Sequence, residues 1–213
     1  MLDPTSFALF LAAALVLAIT PGPGIFYVAA RTLAGGRGEG LASSFGTGLG
    51  GSVHVLAGAL GVSAIVLASA ELFALLKLVG AAYLAWIGVR TILAARRDPA
   101  VAGGPVQAIG VHRAFREGVL VEALNPKTAA FFLAFIPQFV SPDAGPVALQ
   151  FVVLGLLSVA LNTLADVGVA FAAGRIRDGA AAQPGSVRRL RTASGAAMVA
   201  LGVGLAFARR PAA

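Results

Sequence analysis

The sequence predicts an all-α integral membrane protein of six transmembrane helices in two inverted three-helix repeats, with the first and fourth helices broken at Pro/Gly. The composition is apolar: 58% of residues are hydrophobic, 12% are charged and the mean hydropathy is +0.89. Soluble domains have roughly 45–50% apolar and 25% charged residues. Two apolar stretches are interrupted at comparable places in the two halves, at Thr20-Pro21-Gly22-Pro23-Gly24 and at Asn125-Pro126-Lys127.

Six apolar stretches approach or exceed the roughly 20 residues that cross a bilayer. They are Phe7–Arg31, Leu41–Ala68, Glu71–Leu93, Ala114–Val140, Pro146–Ala173 and Thr192–Phe207. The fourth has a polar first third and the sixth is short, so five spans is the alternative count. The stretch Leu2–Ile19 is interpreted as a retained helix rather than a secretion signal, because it carries Asp3 instead of a basic segment and no small-residue cleavage site follows.

The positions of the two interruptions predict an internal repeat. Repeat one covers about residues 5–95, a polar linker about 96–113 and repeat two about 114–210, all within one transmembrane domain. Each half crosses the membrane three times, so the halves run with opposite topology. This is the plan of many secondary transporters, which bind their substrate at discontinuous helices near the membrane midplane. Residue identity between the halves is weak, so the argument depends on the matched interruptions.

The basic residues predict the orientation. Twelve cations lie in the connections after spans one, three and five: Arg31, Arg37, Arg90, Arg96, Arg97, Arg113, Arg116, Arg175, Arg177, Arg188, Arg189 and Arg191. The opposite side has none in its loops and only Arg209 and Arg210 at the tail. Cytoplasmic loops carry the excess of Lys and Arg, which places both termini outside. The net charge of +7 is therefore a topology signal and not a nucleic-acid surface.

The sequence lacks the groups that catalysis, metal binding or ATP use would require. There is no Cys and there are two His, which argues against thiol redox chemistry and metal clusters. No phosphate loop and no nucleophile–base arrangement is present, so we expect neither an enzyme nor a cofactor. Transport by this chain would be secondary, driven by a gradient.

The two interruptions supply the first candidate substrate-binding residues. Around Thr20, Pro21, Gly22, Pro23 and Gly24, main-chain carbonyls lose their intrahelical donors. Glu122, Asn125, Pro126 and Lys127 surround the second interruption. A helix start favours a carboxylate, whereas freed carbonyls or Glu122 favour an ammonium, so the pattern predicts a site for a zwitterion. The alternative is that Glu122 and Lys127 pair with each other and hold the interruption together.

The fifth predicted span carries a polar stripe. Ser158, Asn162 and Asp166 are four residues apart and share one helix face. A carboxylate at mid-bilayer costs roughly 2.5–3.5 kcal/mol on insertion scales. Asp166, together with Glu122, is therefore predicted to couple proton movement to transport, and Asn162 to contact substrate. The alternative is a stripe that bonds to a neighbouring helix. Thr47 and His54, in a glycine-rich stripe of span two, are interpreted as packing residues.

Several motifs together resemble the LysE/RhtB family of bacterial amino-acid exporters. They are Thr20-Pro21-Gly22-Pro23, the Gly-rich stretch Phe45–Gly61 with His54, Glu122-Ala123-Leu124-Asn125-Pro126-Lys127, Phe131-Phe132 and Pro137-Gln138-Phe139-Val140. Their order and spacing agree along essentially the whole chain. The resemblance implies efflux of amino acids such as lysine, threonine, homoserine or cysteine derivatives, powered by the proton gradient, in the cytoplasmic membrane.

The predicted function is a multi-pass secondary transporter of the bacterial inner membrane that exports amino acids or close derivatives by proton antiport. Its expected partners are the substrate, protons and the lipid bilayer, and its Gly-rich helix faces permit a homodimer. Two alternatives remain open: export of another small solute or cation, and a non-transport membrane assembly partner.

Overall fold

The structure, a computed structural model, is helical throughout the part that it describes. The described residues are 4–68, 70–97 and 107–179, together with residues 192, 196, 199, 200, 202, 203, 206 and 207 of the predicted sixth helix. The predicted linker residues 98–106 and the connection 180–191 lie outside them, as do most of the sixth span and the tail cations Arg209 and Arg210. No strand occurs among the described residues.

The first half consists of three long helices. Helix α1 is Pro4–Ile19, α2 is Pro23–Ala68 and α3 is Ala70–Arg97. α2 is interrupted at Gly36, which has φ 82° and ψ −174°. The chain reverses there, because a Cβ on Gly40 would touch Thr32 Oγ1, although a continuous helix separates such residues by about 12 Å. The predicted ten-residue connection between spans one and two is therefore a turn at one glycine.

The second half is less regular than one helix over Ala114–Val140 would be. Helix α4 is Val111–Ala123 and α5 is Pro126–Ala130. A π-helical turn at Phe131–Phe135 and 3₁₀ turns at Ile136–Phe139 and Pro142–Ala144 follow. Helix α6, Val147–Gly179, is 33 residues long and so roughly 50 Å, and it extends beyond the predicted end at Ala173.

Two bends divide the helical path. The first bend, residues 20–22, joins Pro4–Ile19 to Pro23–Gly61 at 44°, and the second bend, residues 124–125, joins Val111–Ala123 to Pro126–Phe139 at 42°. By length and composition, Val147–Ile176 can cross a membrane alone, and each bent pair can do so if it forms one span. Within the described residues this gives one to three candidate spans, so the total of six stays a prediction.

Helix α2 packs mainly against α4 and α6, and glycines make this possible. A Cβ on Gly46 would touch the backbone oxygen of Phe115, and a Cβ on Gly118 would lie 2.8 Å from Ser43 O. Small residues at such spacing let membrane helices approach backbone to backbone. Beside this contact, the side chains of Phe10, Phe131 and Phe151 fill an apolar core between α1, the π-helical turn and α6.

We expect Gly118→Ala to destabilise the protein, although alanine is the better helix former by up to about 1 kcal/mol. The new methyl group meets a backbone oxygen, which cannot move aside as a flexible side chain can. Overpacking of this kind costs about 1–3 kcal/mol, or several degrees in the Tm of detergent-solubilised protein. The matched control is Gly168→Ala, because nothing lies within 4 Å of a Cβ there. Equal Tm values for the two variants would contradict the close α2–α4 contact.

Candidate functional site

A side chain from beside the second bend reaches two main-chain carbonyls at the first bend. In a continuous helix the N–H of residue 21 would bond to Leu17 O, but Pro21 has no N–H. Leu17 O instead accepts from Thr20 N at 3.2 Å and from Lys127 Nζ at 3.3 Å, and Lys127 Nζ also donates to Thr20 O at 2.8 Å. Thr20 N and Oγ1 both donate to Val16 O as well and close the end of α1. The lysine that follows the second bend thus binds carbonyls of the first.

The second bend is built on the same principle. Pro126 cannot donate to Glu122 O, and this carbonyl instead accepts from Asn125 N at 3.0 Å. His54 Nε2 lies 2.9 Å from the same oxygen and must donate to it, since a carbonyl only accepts. The side chain of Asn125 caps α5 by accepting from Lys127 N at 3.0 Å. His54 therefore bonds to this bend, besides packing in a helix contact as the sequence suggested.

The carboxylate of Glu122 is held inside the protein without a cation beside it. The side chain is 2% exposed, Oε1 accepts from Thr128 Oγ1 at 2.6 Å and Oε2 accepts from Asn125 Nδ2 at 2.8 Å. Lys127 is equally buried, at 3%, but the two form no ion pair within 4 Å. Glu122 and Lys127 therefore form no direct ion pair across the second bend. Gly24 leaves the room, because a Cβ there would lie 2.7 Å from Glu122 Oε2.

A second buried acid faces α2 from α6. Asp166 is 0% exposed, and its Oδ2 lies 2.7 Å from Thr47 Oγ1. Its other oxygen, Oδ1, is buried without a hydrogen-bond partner among the described residues. Thr47 Oγ1 also contacts Ser44 O at 2.8 Å. Asp166 thus bonds to a neighbouring helix, as the alternative interpretation of the polar stripe predicted.

A small cavity lies beside Glu122 and beside Thr47, the hydrogen-bond partner of Asp166. Its volume is ≈ 20 Å³, room for about one ordered water molecule. Polar side chains converge on it from α2, α4, α5 and α6: those of Thr47, Glu122, Thr128, Ser158 and Asn162. Asn162 makes no hydrogen bond among the described residues, so its amide is available in the cavity. Leu17 and Ala18, just before the first bend, close the cavity on the α1 side.

The structure thus brings together most of the predicted site residues. Glu122, Asn125 and Lys127 contact one another or the end of α1, Asn162 lines the cavity, and Asp166 is bonded through a cavity-lining threonine. The expected binding of a substrate carboxylate at the start of α5 loses support. Pro126 has no N–H and the N–H of Lys127 is capped, so the start of α5 retains little capacity to bind a carboxylate. Thr128 was missed, because it lies six residues after Glu122 and on the other side of the second bend.

A polar cluster at the Gly36 end of α2 was also missed by sequence reasoning. The buried carboxylate of Glu39 accepts from Ile109 N and Gly110 N, both at 2.7 Å. Arg31 donates to Gln107 O at 3.2 Å and lies 3.9 Å from Glu39 Oε2. These contacts attach the segment before α4 to the turn at Gly36. Nearby, Arg113 Nε donates to Glu117 Oε1 at 2.7 Å, one turn away on α4.

Glu39→Ala is expected to lower the free energy of unfolding by at least about 2 kcal/mol. Two backbone N–H groups and a buried guanidinium lose their acceptor, and each buried group left unsatisfied costs about 1–3 kcal/mol. Thermal unfolding in detergent measures the loss. Asp143→Ala is the matched control, since this carboxylate is exposed in a 3₁₀ turn. If both variants unfold at the wild-type temperature, Glu39 does not hold the segment.

Comparison with known proteins identifies the family. The family described as LysE type translocator matches residues 15–209. The chain belongs to this family. This LysE type translocator is therefore a membrane transport protein, and the family and membrane class predicted from the motifs are confirmed.

Several relatives align with most of the translocator. An uncharacterised membrane protein of Pseudomonas aeruginosa is 33% identical over 163 residues, 75% of this chain and 76% of the relative. The homoserine/homoserine lactone efflux protein of Salmonella typhimurium is 28% identical over 200 residues, 94% of this chain and 95% of the relative. The leucine efflux protein of Klebsiella pneumoniae is 26% identical over 151 residues, 69% of each chain. No solved structure matches this chain.

Proposed function

We propose that this LysE type translocator exports amino acids or close derivatives from the cytoplasm of a bacterium by proton antiport. The observation that carries the proposal is a pair of buried acids at one polar cavity: Glu122 lines the cavity, and Asp166 bonds to Thr47, which also lines it. Relatives named as homoserine/homoserine lactone and leucine efflux proteins support this substrate class. The cavity walls suit a small zwitterion with an uncharged side chain, because arginine is absent from the lining.

The roles of the cavity residues follow from their free bonding capacity. The carboxylate of Glu122 binds the substrate's ammonium, since it is buried with no cation within 4 Å. The amide of Asn162 donates to the substrate's carboxylate, in place of the largely capped start of α5. Thr20, Pro21, Gly22, Pro23 and Gly24, with Asn125 and Pro126, form the main-chain frame of the site. Gly24 leaves the space that the Glu122 carboxylate requires.

The assignment of proton coupling to Asp166 is supported by a count of hydrogens. Thr47 Oγ1 has one hydrogen but contacts two acceptors, Ser44 O at 2.8 Å and Asp166 Oδ2 at 2.7 Å. Both contacts are satisfied together when Asp166 carries a proton and donates it to Thr47. Loss of that proton leaves a buried carboxylate with an unpartnered oxygen, which disfavours the conformation in which Asp166 is buried. Proton binding is thereby linked to this conformation of the protein.

The two bends are proposed to be mid-membrane breaks of spans one and four in an inverted repeat. Lipid cannot satisfy the carbonyls that Pro21 and Pro126 release, and side chains of the protein do so instead. In this topology both termini lie outside and the cluster of Arg31 and Glu39 lies on the cytoplasmic side. Movement of one repeat against the other would expose the cavity to each side in turn.

Efflux from proteoliposomes loaded with a panel of labelled amino acids tests the proposal. With a pH gradient imposed across the membrane, we expect gradient-dependent efflux of one or a few members, homoserine and leucine among the first candidates. Protein-free liposomes and the same proteoliposomes without the gradient are the controls. Efflux of no panel member from correctly folded protein would refute export of amino acids and direct the search to other small solutes.

A further inference from the structure

We propose that the main-chain oxygens of Leu17 and Thr20, here called the carbonyl pair, form an ammonium site that Lys127 occupies as an internal ligand. The α-ammonium of a transported substrate takes the place of Lys127 on this pair during transport. The identity of the competing ligand depends on the proposed function, whereas the ammonium site itself does not.

The carbonyl pair has the chemistry of a cation site. Pro21 removes the usual helical donor of Leu17 O, which accepts instead from Thr20 N at 3.2 Å and can accept a second bond, and the bend removes the donor of Thr20 O. Both oxygens lie at the C-terminal end of the 16-residue helix α1, where the helix dipole is negative. An alkylammonium already binds there, because Lys127 Nζ lies 2.8 Å from Thr20 O and 3.3 Å from Leu17 O.

Lys127 is held in a way that permits exchange. A buried ammonium is normally paired with a carboxylate, but none of the described residues places a carboxylate within 4 Å of this one. Its three N–H groups have two acceptors in the described part of the chain, so one donor remains there. The end of the side chain passes over Gly22, where a Cβ would lie 3.1 Å from both Nζ and Cε. Gly22 is thus the residue that gives the ammonium access to the pair.

The carbonyl pair adjoins the proposed substrate cavity. Leu17 contributes one of the two oxygens and also lines the cavity, as does Glu122. In the proposal, the substrate ammonium lies between the pair and the carboxylate of Glu122. Without substrate, Lys127 supplies Thr20 O with a donor inside the membrane.

A titration with methylammonium tests the ammonium site directly on purified Lys127→Ala protein. We expect methylammonium chloride to raise the Tm of this variant saturably by several degrees, since the vacated pair binds the small ammonium. Wild type and Lys77→Ala, which alters the chain's other lysine, should not respond beyond sodium chloride at equal ionic strength. Tetramethylammonium, which has no N–H, should not replace methylammonium. An equal response to sodium, or none to methylammonium, would overturn the site.

Two further variants keep the test decisive. Gly22→Ala places a methyl group 3.1 Å from Nζ and Cε of Lys127, which shifts the ammonium on the pair without removing the lysine, and the same titration applies if Lys127→Ala does not fold. In Lys127→Arg, the planar guanidinium offers several N–H donors to the carbonyl pair and so competes more strongly with the substrate. This variant should raise the KM of the exported amino acid at least about 10-fold at unchanged Tm. An unchanged or lower KM would refute competition with substrate. If wild type exports no amino acid, the titration still shows whether the carbonyl pair binds an ammonium. Failure of the proposed function and failure of the ammonium site are therefore distinguishable.

Discussion

Replacing Asp166 with asparagine is expected to abolish pH-gradient-driven export while leaving exchange of substrate across the membrane intact. Asparagine has the same size and can bond to Thr47 Oγ1 as the protonated acid does, but it cannot release a proton. The carrier then resembles its permanently protonated form. Proteoliposome assays measure both activities: net efflux under an imposed gradient should fall to the protein-free rate, and counterflow of labelled against unlabelled substrate should continue.

The matched control for this variant is Asp143→Asn. Asp143 lies exposed in a 3₁₀ turn before α6 and does not line the cavity, so the same substitution there should change neither activity. Efflux by Asp166→Asn with the wild-type dependence on the gradient would refute the coupling role. Loss of counterflow together with net efflux, in folded protein, would assign Asp166 to substrate binding instead.

Glu122→Gln is expected to reduce the kcat/KM of export at least about 30-fold. The buried carboxylate is the proposed partner of the substrate's ammonium, and removing one partner of a buried charge pair costs about 2–5 kcal/mol. The amide still fills the space beside Gly24 and retains an oxygen for Thr128, so the fold should persist. The loss should appear mainly in KM.

Glu117→Gln provides the same substitution on the same helix outside the cavity. Glu117 bonds to Arg113 near the membrane interface, so export by this variant should stay within about twofold of wild type. The Tm of both variants distinguishes lost binding from lost structure. An unchanged KM for Glu122→Gln with a lowered Tm would mean that Glu122 only supports the second bend.

The prolines allowed part of the site to be predicted from sequence. A proline at position i releases the carbonyl at i−4, so Pro21 and Pro126 identify Leu17 O and Glu122 O as groups that need a new donor. Which side chain supplies the donor depends on packing between distant segments. Lys127 and His54 reach these carbonyls from 110 and 68 residues away, and no local pattern contains that information.

Asp166 could be predicted for a different reason. A carboxylate within an apolar helix is costly enough to require a partner or a function. The presence of this one residue in the apolar stretch was therefore enough to predict its role. Its partner could not be chosen, because Thr47 lies in a glycine stripe whose spacing is equally typical of simple packing. Glu39 was missed because the sequence predicted a connection between spans one and two at this position. The structure has a turn at Gly36 instead.

Simultaneous recording of proton and amino-acid flux in proteoliposomes tests the central claim most directly. An entrapped pH-sensitive dye reports the proton movement that an outward amino-acid gradient drives through wild type and Asp166→Asn. We predict that wild type moves protons in the direction opposite to the amino acid, and that Asp166→Asn exchanges amino acid without moving protons. Amino-acid flux through wild type without proton movement would contradict proton antiport at this site.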